Sequence, residues 1–383
     1  MHSARWPWRY LYTCSMSLGS SSVSSRTAGR QGLGPAMDRR LRIGSLVLDV
    51  PFFQAAISGY TSYPARRLAR DFGAPLVWTG VILASSAKDR RVMRKRIYAP
   101  GDDEHPIGAQ ILWDEPVLAA EAAKALVELG YDLIDLNFAC PAPKVLRRQR
   151  GGALLMYPTR VVEIYRAVRD AIVVPVTVKL RIGVDESDLS RDCFWQIVDR
   201  LATEGIDALA IHGRTVRQRY SGKADWQVIS EVRRRYPNLV IIGSGDLLDV
   251  QTALTRLADS GVDGLAIARG AIGNPWFIRD LRAALEGRPI SPPPTLEEQR
   301  QVILWHLHQV LDLYKPQYRA IGYFRKFLVG YAKRHPRRRQ VLLSLLGAKT
   351  SEELIAAIDY WYRPATASPD KSAGPLPPGS CGP

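Results

Sequence analysis

Cysteine is scarce and scattered in this chain. Of its 383 residues four are cysteines, Cys14, Cys140, Cys193 and Cys381, and no two form a C-x-x-C pair. That spacing builds neither a disulfide framework nor a zinc site, so no metal centre is expected and a reducing, cytoplasmic setting is. Long apolar runs are missing too, which excludes a membrane-spanning helix. Acidic residues are in deficit, 37 Asp and Glu against 53 Lys and Arg, for a formal net charge of +16. Such an imbalance favours an anionic partner, nucleic acid above all; the alternative is a merely solubilising surface. No acid precedes Asp38, while Arg5, Arg9, Arg26, Arg30 and many serines do. That is transit-peptide composition, but its apolar part is short and broken by Arg9, and Met37 stands just before the first globular-looking segment. A mis-set start or a disordered extension over residues 1–40 is the expectation.

What is present is a rhythm. Hydrophobic residues make up 46% of the chain, enough for a substantial core. From residue 50 onward, apolar strand patterns alternate with amphipathic helix patterns. The strands read as Val50–Ala55, Leu76–Thr79, Ile107–Leu112, Leu133–Asn137, Val174–Leu180, Ala208–Ile211, Leu239–Gly243 and Gly264–Ala268. An arginine-rich connection, Asp89–Tyr98, reads as a hairpin. Eight strand–helix units in succession is the arithmetic of a (β/α)8 TIM barrel. A doubly wound sheet would need a Gly-rich fingerprint after its first strand, and there is none. Ser291–Pro294 marks a linker, beyond which four segments have helical periodicity. The expected organisation is an α/β chain with a barrel over residues 41–290, a small all-helical domain over 291–362, and a disordered tail over 363–383.

Polar residues interrupt the apolar pattern at the strand ends, where a barrel keeps its catalytic groups. Gln110 breaks the third strand, Asn137 and Cys140 end the fourth, Lys179 and Arg181 end the fifth, and His212 and Arg214 follow the sixth. Gly243-Ser244-Gly245-Asp246 follows the seventh and Ala268-Arg269-Gly270 the eighth. Any one of these could be a satisfied core polar group; six coincident strand ends are hard to explain that way. The last two turns expose backbone N–H groups and, with Arg269, make a phosphate site where barrels commonly hold one. The bland alternative is glycines that only turn the chain. A phosphate site implies a phosphorylated cofactor, and FMN suits the ligand-lined strand ends. Lys179 and His212 would then face the flavin N1 and C2 carbonyl, where reduction builds up negative charge, and Gln110 would bond the ring edge. A lone histidine is more commonly a packed one, and a lone cysteine an inert small hydrophobe. Cys140, however, ends a strand between Asn137 and Pro141, ahead of Lys144, Arg147, Arg148, Arg150 and a Gly151-Gly152 pair. An ordinary thiol, with a pKa near roughly 8.5, is mostly protonated at neutral pH and can donate a proton. A nucleophilic role lacks an evident general base.

The stretch DLNFACPAPKV, followed in order by VKLRIG, HGRTVRQRYSGKADW and ARGAIGNPW, resembles the tRNA-dihydrouridine synthases, flavin enzymes that reduce a uracil ring in tRNA. The resemblance runs from near Val50 to Tyr362. It implies FMN on the barrel top, NADPH as electron source, and Cys140 as proton donor to C5 of uracil, with hydride going to C6. It also implies a site lined by Asn137, Lys179, Arg181 and His212, and a tRNA-holding helical domain that contains FRKFLVGYAKR and the cluster Lys333, Arg334, Arg337, Arg338 and Arg339. Lys144 and Arg148 are further candidates for RNA contact, and a monomer is expected. The sequence departs from the family in its first strand, where an Ala-Pro-Met-Ala-Gly run is replaced by Ala55-Ala56-Ile57-Ser58-Gly59. Contacts from Ala56, Ile57 and Ser58 to the flavin would therefore be made by backbone. The Asp that follows is Ser62, the Gly before the cysteine is Ala139, and the Asn of the seventh-strand turn is Ser244. Two other readings stay open: a flavin oxidoreductase acting on a small pyrimidine or enone, and a catalytically silent RNA-binding barrel.

Overall fold

A computed structural model describes residues 40–363; the remainder of the expected extension and tail, with Cys14 and Cys381, lies outside the described residues. The described chain opens with a hairpin, β1 (Leu41–Ile43) and β2 (Leu46–Leu48), paired antiparallel. Gly44, at φ 55°, supplies the left-handed backbone that the two-residue turn needs. A lone two-stranded ribbon is marginal in water, and docking stabilises this one. Leu41, Ile43 and Leu48 pack against Phe53, Trp78, Leu133, Ala208, Ile242 and Ala266, closing the amino-terminal end of the barrel. Burying three such side chains contributes about 1.5–3 kcal/mol each. The strand expected from Val50 does not anticipate this plug, although Leu41-x-Ile43 and Leu46-x-Leu48 about a glycine carry the alternation of one.

Eight strands follow: β3 (Phe52–Gln54), β4 (Val77–Leu83), β5 (Ile107–Leu112), β6 (Leu133–Asn137), β7 (Val176–Arg181), β8 (Ala208–His212), β9 (Ile241–Ser244) and β10 (Gly264–Ile267). Their order is β3-β10-β9-β8-β7-β6-β5-β4, and each ladder is parallel. At the seam between the end strands, the Gln54 N–H donates to the Leu76 carbonyl at 3.2 Å. The sheet is a (β/α)8 barrel. Around it run α1 (Tyr63–Asp71), the single turns α2 (Ala84–Ala87) and α3 (Arg90–Met93), α4 (Pro116–Glu128), a short α5 (Pro143–Leu146), α6 (Pro158–Ala171), α7 (Asp188–Thr203), α8 (Trp226–Arg235), α9 (Val250–Ser260) and α10 (Trp276–Leu285). Helix starts follow their caps: the Glu115 carboxylate accepts from the Val117 and Leu118 N–H groups, and Asp225 serves α8 in the same way. The segment Asp89–Tyr98 contains no hairpin. Asp89 caps Arg91 and Val92 and buries Met93, so the local chemistry starts a helical turn. Behind it, the fully buried Arg66 pairs with Glu104 at 2.7 Å and donates to the Ile97 carbonyl at 3.0 Å.

Past the Pro-rich linker come α11 (Leu296–Leu313), α12 (Gln317–Ala332), α13 (Arg338–Gly347) and α14 (Ser351–Tyr362). A Thr295–Glu298 capping box starts α11, which packs on α12 and α14 and also touches α1. Tyr323 of α12 donates to Ser62 Oγ, and Lys326 to the Gly59 carbonyl, each at 2.7 Å. The helical region thus sits over the carboxyl end of β3. Among the described residues no helix is long and apolar enough to cross a membrane, and no His/Cys/Asp/Glu group could hold a metal ion.

Candidate active site

The site begins with strand alternation. Residues two apart on one strand share a face, so Asp135 and Asn137 of β6 point the same way; register puts Gln110 beside Asp135 and Lys179 beside Asn137. Gln110, Asp135 and Thr177 line a cavity inside the barrel, together with Lys179 and Ala56. Gln110 Nε2 donates to Asp135 Oδ2 at 2.7 Å, and Thr177 Oγ1 donates to Asp135 Oδ1 at 2.6 Å. Asn137 Nδ2 donates to Gln110 Oε1 at 2.6 Å, while Asn137 Oδ1 accepts from the Ala139 and Cys140 N–H groups, both at 3.0 Å. Burial pushes the Asp135 carboxyl up to about 6, against the opposing pull of Thr177, Gln110 and Lys179.

Lys179 Nζ and His212 Nε2 have no partner among the described residues and are sealed from solvent, as are Trp78 Nε1 of the same cavity and Arg214 Nη1 of the loop after β8. Part of the Lys179 stem is accessible, but its ammonium is not. Burial lowers the Lys179 ammonium to about 8, with Asp135 opposing and Arg181 adding to the shift. Burial likewise holds His212 neutral, down to about 2, reinforced by Lys179, Arg181, Arg214 and Arg269. Cations converge on this end of the barrel, and little anionic charge answers them.

Cys140 is half-buried and free. Its loop is pinned by the Gly152 N–H donating to the Cys140 carbonyl at 3.1 Å. Gly151 is required there: at φ 57°, a Cβ would meet Cys140 Cβ at 3.0 Å and Val145 at 2.9 Å. Arg181 is buried, with Nε on the Ala139 carbonyl at 2.9 Å and Nη1 on the Thr215 and Arg219 carbonyls, both at 2.8 Å. It ties the cysteine loop to the loop after β8. Lys144 and Arg148 are exposed and make no ion pair among the described residues, whereas Arg150 pairs with Asp114 at 2.6 Å and stacks on Trp113.

The turns after β9 and β10 meet. A Cβ on Gly270 would strike the Leu247 carbonyl, and one on Gly245, at φ 131°, would strike Ala224 Cβ and stand 3.8 Å from His212 Cε1. Ser244 pairs in register with His212. The Asp246 carboxylate is occupied by Arg214 at 2.7 Å, Arg269 at 3.2 Å and the Ala224 N–H at 2.9 Å, which leaves its backbone to any ligand. Arg269 lies over Tyr220, 4.5 Å from the ring centroid, and Arg181 lies 5.7 Å from the same ring. Ile57 and Ala268 line a second cavity with His306 and Phe327 of the helical region; Ser58 is exposed in the turn beyond. Of the basic cluster, Arg334 donates to Asn274 at 2.7 Å and so anchors α12 to the barrel, while Lys333, Arg337, Arg338 and Arg339 are exposed. Sequence pattern alone leaves Asp135 and Thr177 without a role. A carboxylate two residues before Asn137 in an otherwise apolar strand was the available signal.

A parallel barrel with charged and polar strand ends gathered around one thiol is the architecture of a barrel oxidoreductase site. A family model described as dihydrouridine synthase (Dus) matches residues 53–358, and the chain belongs to that family. A probable tRNA-dihydrouridine synthase of Rickettsia bellii is 35% identical over 276 residues, covering 72% of this chain and 83% of the relative. One of Mycobacterium leprae is 32% identical over 352 residues, covering 84% and 90%. Among solved structures, histamine dehydrogenase from Rhizobium sp. 4-9 shares the fold at TM-score 0.51 and 16% identity over 71% of this chain. A 2-naphthoyl-CoA reductase does so at TM-score 0.51 and 12% identity over 66%. The chain spans about half the length of each of those two proteins, 51% and 52%.

Proposed function

We propose that this protein reduces uridines in tRNA to 5,6-dihydrouridine in the cytoplasm, as a monomer, with FMN bound over the barrel mouth and NADPH as the source of electrons. The observation that carries this reading is the pair of sealed, unpartnered nitrogens, Lys179 Nζ and His212 Nε2, at the strand ends that also present the Cys140 loop. A buried ammonium and a buried imidazole nitrogen left without partners are costly, so the site calls for a ligand rich in polar atoms, with carbonyl or anionic oxygen facing Lys179. An isoalloxazine with a phosphate tail has that chemistry. Lys179 and His212 would hold its N1–C2 edge, and the second Nε2 hydrogen of Gln110 remains for a ring carbonyl. The turns at Ser244-Gly245-Asp246 and Ala268-Arg269 would hold the phosphate, and Ala56, Ile57 and Ser58 would meet the ring through backbone.

A bound, reduced FMN would supply the hydride for C6 of uracil. Cys140 delivers the proton to C5, and its thiolate recovers a proton from solvent. Asn137 and Arg181 hold that loop at the uracil end of the site. The uracil must leave its stack to arrive there, and phosphate contacts position the RNA without reading its sequence. Exposed Lys144 and Arg148, with Lys333, Arg337, Arg338 and Arg339, would make those contacts. In this reading residues 41–290 carry the flavin and 291–362 hold the tRNA.

The test is mass spectrometry of tRNA from cells lacking the protein: at least one dihydrouridine should revert to uridine, and unchanged dihydrouridine content refutes the reading. Affinity for tRNA should fall steeply with salt; a flat response favours a small pyrimidine or enone substrate. Failure of the purified protein to take up FMN favours a silent RNA-binding barrel.

A further inference from the structure

Among the side chains assigned to the reaction Asp135 hydrogen-bonds only Gln110, yet its two oxygens set the direction of a hydrogen-bond chain that ends at the cysteine. Thr177 and Gln110 donate to those oxygens at 2.6 and 2.7 Å. An ionised carboxylate only accepts, so Gln110 must turn its NH2 toward Asp135 and its carbonyl the other way. That carbonyl takes Asn137 Nδ2 at 2.6 Å. Asn137 is then left with its own carbonyl facing the Ala139 and Cys140 N–H groups, each at 3.0 Å. The two ends demand the same orientation: two backbone donors fix Asn137 from one side and an acceptor-only carboxylate fixes Gln110 from the other. Reversing either amide would set donor against donor in a buried contact, where unsatisfied groups are most costly.

We propose that Asp135 is a positioning residue: through Gln110 it orients the Asn137 amide that holds the Ala139–Cys140 backbone, and so sets where the Cys140 thiol stands. The inference rests on the reading of Cys140 as proton donor for its meaning in the reaction, but the geometry it asserts does not. Asp135 works in this chain as an acceptor. The competing role is a counter-charge for Lys179, and substitution separates the two. Asp135→Asn removes the charge but still offers Oδ1 to Gln110, because the Thr177 hydroxyl can turn round to accept. Asp135→Leu removes both charge and acceptor. Gln110→Met breaks the chain while leaving the Asp135 charge in place.

The experiment measures alkylation of Cys140 by iodoacetamide on the flavin-loaded protein, read on the Cys140 peptide by mass spectrometry. It needs no turnover, so failure of the chain and failure of the proton-donor role, which Cys140→Ala turnover tests, are told apart. Lys179→Ala serves as the control for weakened flavin binding. The Leu and Met variants should react at least about fivefold faster, the opening that loss of one net hydrogen bond allows. The Asn variant should stay near the wild-type rate, and any rise in Lys179→Ala, which reports weakened flavin binding, should be smaller than in the Leu and Met variants. Wild-type rates in both the Leu and Met variants overturn the proposal. So does an Asn variant as fast as Leu, which makes the charge the active feature, and so does an equal rise in Lys179→Ala, which makes flavin loss the cause. Should the Leu variant fail to fold, Gln110→Met carries the comparison.

Discussion

Lys179→Met should make the flavin-free protein more stable while weakening flavin reduction. The ammonium is sealed in the barrel without a hydrogen-bond partner, and burial lowers it from 10.5 to about 8. At about 1.4 kcal/mol per pKa unit, the charged form costs folding about 3 kcal/mol. The sign follows from proton counts: below pH 8 both states are charged and the penalty is full. Between pH 8 and the ordinary lysine value the unfolded chain keeps its proton while the folded chain releases it, so stability rises with pH. Methionine fills a similar volume with no charge. At pH 7 the variant should therefore gain up to about 3 kcal/mol, less what Asp135 loses when its neighbouring cation goes. By pH 10 the difference should have largely closed. Urea midpoints of wild type and variant, without flavin, at pH 7 and pH 10 provide the check. In the loaded protein, loss of a donor beside the ring should slow reduction on the order of a hundredfold, measured by anaerobic stopped flow. A variant no more stable than wild type at pH 7, or an advantage undiminished at pH 10, refutes the reasoning.

Two other outcomes are expected. Cys140→Ala should retain bound flavin, seen by visible absorbance, yet lose turnover on uridine-containing tRNA by about 10²–10⁴; full turnover would remove the general-acid role. Glu104→Gln leaves the Arg66 guanidinium, fully buried and donating also to the Thr61 and Ile97 carbonyls, without its counter-charge. That should cost about 3–5 kcal/mol, visible as a lower midpoint in calorimetry, and a variant melting with the wild type would show the pair to be dispensable.

The barrel was legible because its strands are apolar runs ended by a polar break. Ile107–Leu112 and Leu133–Asn137 hold those bounds in the structure. What stayed hidden depends on contacts that local pattern does not encode. The plug strands β1 and β2 are three residues each, so the alternation they carry is brief and gives no sign of the barrel end against which it packs. Asp135 reads as a blemish in Leu133-Ile134-Asp135-Leu136 until register with Gln110 and Thr177 gives it partners. Arg181 and Asp246 were visible as charges at strand ends. That Arg181 is spent on carbonyls at Ala139, Thr215 and Arg219, and Asp246 on Arg214 and Arg269, follows from loops more than twenty residues away. In Asp89–Tyr98 the run of arginines says little about local structure, while the decisive feature is one capping carboxylate.

The altered first strand looks damaging in sequence and much less so in structure. The path of the loop from Ile57 to Ser62 is held largely by backbone carbonyls and by side chains of the helical region. The Ile57 carbonyl accepts from the Tyr60 and Thr61 N–H groups at 3.0 and 3.2 Å, and the Thr61 hydroxyl closes back on it at 3.1 Å. Lys326 reaches the Gly59 carbonyl, and Tyr323 bonds both the Tyr60 carbonyl and Ser62 Oγ. Tyr323 is stacked on Tyr314 at 4.5 Å, and burial holds its hydroxyl well above the ordinary tyrosine range. The Ser62 hydroxyl accepts from Tyr323 at 2.7 Å, which ties the loop to α12. The backbone that would face a bound ring is held in place from the helical region, independently of the side chains at 56, 57 and 58.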